Sequence, residues 1–152
     1  MAYSIPHYID GQRVEGASGR FGKLYNPATG EVSGRVALAD ATAAARAVEA
    51  AASAFPGWRD TPALHRARVL FRFKELMESH LDELARLVSD EHGKVLSDAR
   101  GSVIRGLEVV EFACGAPHLL KGHFSEDVGR GIDSHSIRQP LGVCVGITPF
   151  NF

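Results

Sequence analysis

The chain has 152 residues, 45% hydrophobic and 23% charged, the proportions of an ordinary globular unit rather than of a disordered, collagenous or coiled-coil chain. Seventeen Lys and Arg against 18 Asp and Glu leave a formal net charge of −1, so no global field draws the chain to nucleic acid or to an anionic membrane. Its two cysteines, Cys114 and Cys144, are too few for a disulfide scaffold. With no signal-peptide pattern and no apolar run of roughly 18 residues, the expected setting is soluble, reducing and cytoplasmic.

Tyr8-Ile9, Asp10-Gly11 and Gln12-Arg13-Val14 predict a hairpin, because Asp-Gly suits a type I′ turn with positive φ at both central positions. Asn26-Pro27-Ala28-Thr29-Gly30 is a second turn cluster, after which Val32, Val36 and Leu38 share one strand face. Asp40 is a good N-cap for a helix to about Phe55, with Ala44, Val48, Ala51 and Phe55 on one face and Pro56-Gly57 as its stop. Thr61 before Pro62 predicts the cap and first turn of a second helix. Its apolar face is Leu64, Ala67, Leu70, Phe71, Phe73 and Met77.

A third helix carries Leu81, Leu84 and Val88 and stops at Gly93. Ser97 starts a fourth, with Val103, Leu107, Val110 and Cys114 at helical spacing, and Pro117 ends or kinks it. Gly122 to Gln139 reads as a polar hairpin turning at Gly129-Arg130-Gly131. Pro140 to Ile147 is continuously apolar, the pattern of a strand buried on both faces, usually in a parallel sheet. Cys114 then reads as a packing cysteine on a helix face and Cys144 as one inside the buried strand. A strand of that kind needs neighbours and covering helices, so the chain reads as the front part of a larger α/β protein.

Generic motif searches give little. Gly129-Arg130-Gly131 does not complete G-x-G-x-x-G, and Gly19-Arg20-Phe21-Gly22-Lys23 is too short for a phosphate loop. H-E-x-x-H and C-x-x-C are absent, and His118 and His123 read as surface histidines rather than a metal pair, so no metal is expected. Thr148-Pro149-Phe150-Asn151 lies just past the apolar run, where ligands bind in open α/β sheets. A proline and an aromatic would form a rigid wall there, and Asn151 would supply an amide donor. From spacing alone the same residues also read as a strand-to-helix turn with Asn151 as a cap. Arg105, by spacing alone, is a surface arginine paired with Glu108 or Glu111.

The segment Arg138 to Phe152 closely resembles the NAD-dependent aldehyde dehydrogenase superfamily. There a Pro-Leu-Gly strand leads into an isoleucine-x-proline-aromatic-asparagine-phenylalanine turn. Phe150 in place of the commoner tryptophan, together with Gly142 to Ile147, resembles the methylmalonate-semialdehyde dehydrogenase branch, which acylates coenzyme A. Tyr8-Ile9-Asp10-Gly11, Tyr25 to Glu31, Val69 to Leu76 and Arg105 to Pro117 resemble the branch as well, so the likeness covers essentially the whole chain.

The resemblance implies an α/β fold: the N-terminal part of an aldehyde dehydrogenase, with Rossmann-like NAD-binding helices and a first parallel strand, plus β-hairpins of the oligomerisation region. It divides the chain into residues 1–121 (N-terminal hairpins and helices of the NAD-binding domain), 122–139 (a hairpin of the oligomerisation region) and 140–152 (the first strand of the NAD-binding sheet, truncated). It implies Ile147, Thr148, Pro149 and Phe150 as lining the NAD site, Asn151 as a catalytic oxyanion donor and Arg105 as the clamp on the substrate's carboxylate. NAD is the implied cofactor and coenzyme A the co-substrate, with a small aldehyde as substrate and a homo-oligomer, dimer or tetramer, as the assembly. Valine and myo-inositol catabolism are the implied settings. The family's nucleophilic cysteine and general-base glutamate correspond to no position of this chain, which is therefore expected to be inactive alone. Two other readings stand: a non-acylating aldehyde dehydrogenase, and a non-enzymatic fragment that binds an intact subunit through its hairpin edge.

Overall fold

The structure, a computed structural model, describes residues 3–149. Strands β1 (Tyr3–Ile5), β2 (His7–Ile9), β3 (Gln12–Val14), β4 (Phe21–Tyr25) and β5 (Val32–Ala37) come first. Helices α1 (Ala41–Asp60), α2 (Ala63–Ser79), α3 (Leu81–His92), α4 (Leu96–Cys114) and α5 (Ala116–Leu119) follow, then strands β6 (Phe124–Gly129) and β7 (Ile132–His135). β5 is the middle of a three-stranded sheet, parallel to β1 and antiparallel to β4. β2–β3 and β6–β7 are separate antiparallel hairpins.

Local signals produce most of these elements. Asp10 and Gly11 sit at φ 52° and 72°, the type I′ turn that the Asp-Gly pair predicts. Asn26 Oδ1 accepts the N–H groups of Ala28 and Thr29, fixing the turn into β5. Asp40 Oδ1 accepts the Ala43 N–H at 2.8 Å and caps α1. Gly93 closes α3 in the left-handed region, its N–H bonded to the Ser89 carbonyl.

Several expectations need correcting. α1 does not stop at Pro56 but runs through it to Asp60. The proline removes one backbone bond to the turn behind it, while the turn ahead keeps its donors. Thr61 then ends α1 by donating its N–H to the Trp58 carbonyl and its hydroxyl to the Gly57 carbonyl at 2.8 Å. The Thr61 side chain therefore looks backward and does not cap α2, which begins behind Pro62 with no side-chain cap. α4 begins at Leu96, one residue before Ser97 and also without a side-chain cap.

The largest correction concerns the apolar run. Residues 141–147 pair with no described strand, and Leu141 and Ile147 are each 94% exposed. A segment without a neighbouring described strand has no ladder to join, whatever its composition. Cys144, expected inside a buried strand, is exposed for the same reason, while Cys114 is buried as its helix face predicts.

The core lies where α4 packs on α2 and α3. Its buried side chains are small: Ala67, Ala85, Ala99, Val103 and Cys114, with Ala37 under the sheet. Small residues let helix backbones approach closely, but they bury little area each. The chain exposes 11,901 Å², whereas a compact protein of 16.4 kDa exposes about 7,500 Å². Phe71, Phe73, Phe112, Val128 and Ile137 are among the large apolar side chains left at the surface.

Candidate functional site

A groove of about 820 Å³ runs along α3 and α4, with α2 contributing at one side. Met77, Leu84, Leu87, Val88 and Val103 make its apolar wall, and Glu91, His92, Lys94 and Ser102 its polar rim. The α3–α4 connection places that rim. Ser89 Oγ donates to the Lys94 carbonyl, Lys94 Nζ donates to Ser102 Oγ at 2.9 Å, and the same ammonium pairs with Asp98 at 2.7 Å. The Lys94 side chain is only 12% exposed, and its hydrogen bond and charge hold the Asp98 carboxyl below its ordinary pKa. At the α3 end, Tyr3 Oη donates to Glu91 at 2.7 Å, and that bond raises the tyrosine's pKa.

Of the residues singled out by sequence, Pro149 lines this groove together with Gly106 of α4. The residue beside Gly106 is Arg105, exposed on α4 while Val103 is buried, as their 200° separation on a helix wheel requires. The groove thus brings Pro149 to Gly106, midway along α4, while Arg105 itself stands outside the lining. Ile147 and Thr148 are exposed and stand outside its lining. Phe150 and Asn151 lie outside the described residues. His118 and His123 gain no third ligand: among the described residues no group of three His, Cys, Asp or Glu stands together. No helix among them is long and apolar enough to cross a membrane.

Lys94, Ser102 and Glu91 went unnoticed in the sequence. The Lys94–Asp98 spacing of four residues was the one available signal; the Ser102 and Tyr3 contacts depend on how separate elements pack.

A profile of the aldehyde dehydrogenase family matches residues 14–152. The chain belongs to that family. It is 49% identical over 149 residues to the malonate-semialdehyde dehydrogenase of Pseudomonas aeruginosa, covering 98% of this chain and 30% of that enzyme. It is 47% identical to the acylating mitochondrial methylmalonate-semialdehyde dehydrogenase of Arabidopsis thaliana, covering all of this chain and 25% of that protein. Among solved structures, an NAD complex of a Sinorhizobium meliloti protein assigned as a methylmalonate-semialdehyde dehydrogenase superposes with a TM-score of 0.95 at 53% identity. That match covers all of this chain and 31% of that one. The methylmalonate-semialdehyde dehydrogenase of Oceanimonas doudoroffii gives a TM-score of 0.93 at 55% identity, with 98% and 30% covered. The chain thus spans 25–31% of the length of these relatives and matches their N-terminal part. The expected α/β fold of an N-terminal aldehyde dehydrogenase portion is what the superpositions give.

Ile147, Thr148 and Pro149 are exposed, so their side chains are accessible to a ligand such as a dinucleotide. Gly129-Arg130-Gly131 forms the β6–β7 turn, not a strand-to-helix loop that could cradle a pyrophosphate.

Proposed function

We propose that this chain forms the N-terminal third of an NAD-dependent, coenzyme A-acylating methylmalonate- or malonate-semialdehyde dehydrogenase. The observation that carries the reading is the sustained 47–49% identity to enzymes of that description across essentially the whole chain. An NAD-bound relative superposing over all of it adds the cofactor.

In this reading the complete enzyme oxidises the aldehyde to a thioester, releases carbon dioxide and passes the acyl group to coenzyme A, giving propanoyl-CoA or acetyl-CoA. NAD, when bound, supplies the hydride acceptor. The cysteine nucleophile and the glutamate base come from outside these 152 residues. This chain contributes three things. Ile147, Thr148, Pro149 and Phe150 wall one side of the cofactor. The Asn151 amide donates to the oxyanion, a role worth about 10²–10³ in rate. Arg105 grips the substrate's carboxylate through its planar fork. The complete enzyme works as a homo-oligomer in the cytoplasm, with the β6–β7 hairpin at its subunit contacts.

The test is product analysis with the enzyme that contains this chain, given malonate semialdehyde and NAD with and without coenzyme A. Acetyl-CoA and carbon dioxide in equal amounts, dependent on coenzyme A, are expected. Malonate formed at the same rate without coenzyme A would reject the acylating assignment and leave an ordinary aldehyde dehydrogenase.

A further inference from the structure

We infer that a second, smaller pocket, between the end of α1, the start of α2 and α5, is a binding site for a short aliphatic carboxylate. The pocket holds about 180 Å³ and lies apart from the groove that Pro149 enters. Trp58, Ala67, Leu70 and Pro117 give it apolar walls, and Arg66 is its sole charged lining residue. Three observations point to an anion. The Arg66 Nε is buried and has no hydrogen-bond partner, a rare state for a buried donor, and no ion pair joins Arg66 to any other described residue. No Asp or Glu lines the pocket. Ala63, the first residue of the 17-residue helix α2, also lines it, and that helix has no side-chain cap because Thr61 bonds backward to Gly57. The positive end of α2 and an unpaired guanidinium therefore converge on one pocket.

Size and walls select the ligand. With a volume of about 180 Å³, the pocket has room only for a small ligand, and butyrate is of that size. A carboxylate can meet the guanidinium fork while its alkyl chain lies against Trp58 and Leu70. Phosphate would place its remaining oxygens on apolar walls, at a desolvation cost.

Trp58 is the chain's single tryptophan, so its fluorescence reports on this pocket alone. Titration of the chain with butyrate should give a saturable change, half-complete on the order of 1–10 mM. Butyramide, of the same shape without the charge, and inorganic phosphate should each bind at least tenfold more weakly. Arg66→Met should weaken butyrate at least tenfold, with Arg66→Lys in between. The butyrate and butyramide comparison needs no variant and so does not depend on how a substitution folds. An unsaturable response, equal binding of butyramide or phosphate, or an unchanged butyrate titration in a folded Arg66→Met protein would overturn the proposal.

Discussion

The helical layer of α2, α3 and α4 and the stretch from residue 121 to 149, with its apolar run at 141–147, have opposite fates. In the first, Ala67, Ala85, Ala99, Val103 and Cys114 close against one another. In the second, every described residue is exposed except the half-buried Gly129 and Gly142. A helix satisfies its own backbone, and α2, α3 and α4 follow one another with short connections, so they find each other within the chain. A strand satisfies its backbone only beside another strand. Leu141 to Ile147 has the composition of a doubly covered strand and no partner here. The difference separates burial that a sequence creates by itself from burial that depends on surfaces lying elsewhere, such as the remaining 70% of the relatives' length.

The largest expected effect exploits this contrast directly. Val103→Asp places a charge among the packed helices and should cost at least about 3 kcal/mol, enough to abolish a cooperative transition in a marginal chain. Val145→Asp, on the open stretch, should stay within about 0.5 kcal/mol in the same chain. Urea unfolding followed by circular dichroism measures both. In the proposed complete enzyme residue 145 is expected to be covered, and there Val145→Asp should become as damaging as Val103→Asp. Equal tolerance of both substitutions in this chain would erase the distinction.

A glycine pair sharpens it at smaller scale. A Cβ at Gly34 would stand 2.6 Å from the Tyr3 carbonyl oxygen and 3.2 Å from its ring, whereas one at Gly146 would meet nothing within 4 Å. Gly34→Ala should push β1 off β5, strain the Tyr3–Glu91 bond and cost about 1–3 kcal/mol by thermal unfolding. Gly146→Ala should be nearly neutral by the same assay.

The smallest effect is a pH dependence confined to the helical layer. Lys94 lowers the Asp98 pKa below its ordinary 3.8 in the folded chain. The lowered value means that the ion pair contributes its stability above pH 3.8 and loses it as pH falls through the folded pKa. Asp98→Asn should remove that part of the acid destabilisation and flatten the curve of urea midpoint against pH below about 4. Its partner carboxylate is largely exposed, so the change in midpoint should be small.

How legible each part was in the sequence follows from the range of its contacts. The Asp10-Gly11 turn, the Asn26 turn, the Asp40 cap, the Gly93 stop and the α4 face all rest on contacts within a few residues, and each stood in the sequence. The passage of α1 through Pro56 and the backward turn of Thr61 were not legible, because they depend on which of two neighbouring helices claims a residue between them. The exposed 141–147 segment misled, since composition reports what a strand is suited to and not whether its neighbours are present. Pro149 and Arg105 were named through the family resemblance, and of the two only Pro149 lines the groove. The rim of Lys94, Ser102 and Glu91 could not be nominated, because its members are joined only by packing. The unpaired Arg66 was hidden in the same way among ordinary helix arginines.

The proposed role of Arg105, gripping the carboxylate of the aldehyde substrate, is tested most directly by a substrate comparison in the complete enzyme. Arg105→Leu and the unaltered enzyme would each be assayed for kcat/KM with malonate semialdehyde and with propanal, which lacks the carboxylate. A charged hydrogen-bonded contact is worth about 1.5–3 kcal/mol, so the substitution should lower kcat/KM for malonate semialdehyde by one to two orders of magnitude, mostly through KM, and leave propanal within about threefold. Equal losses on both aldehydes would contradict the claim and make Arg105 a structural residue of α4.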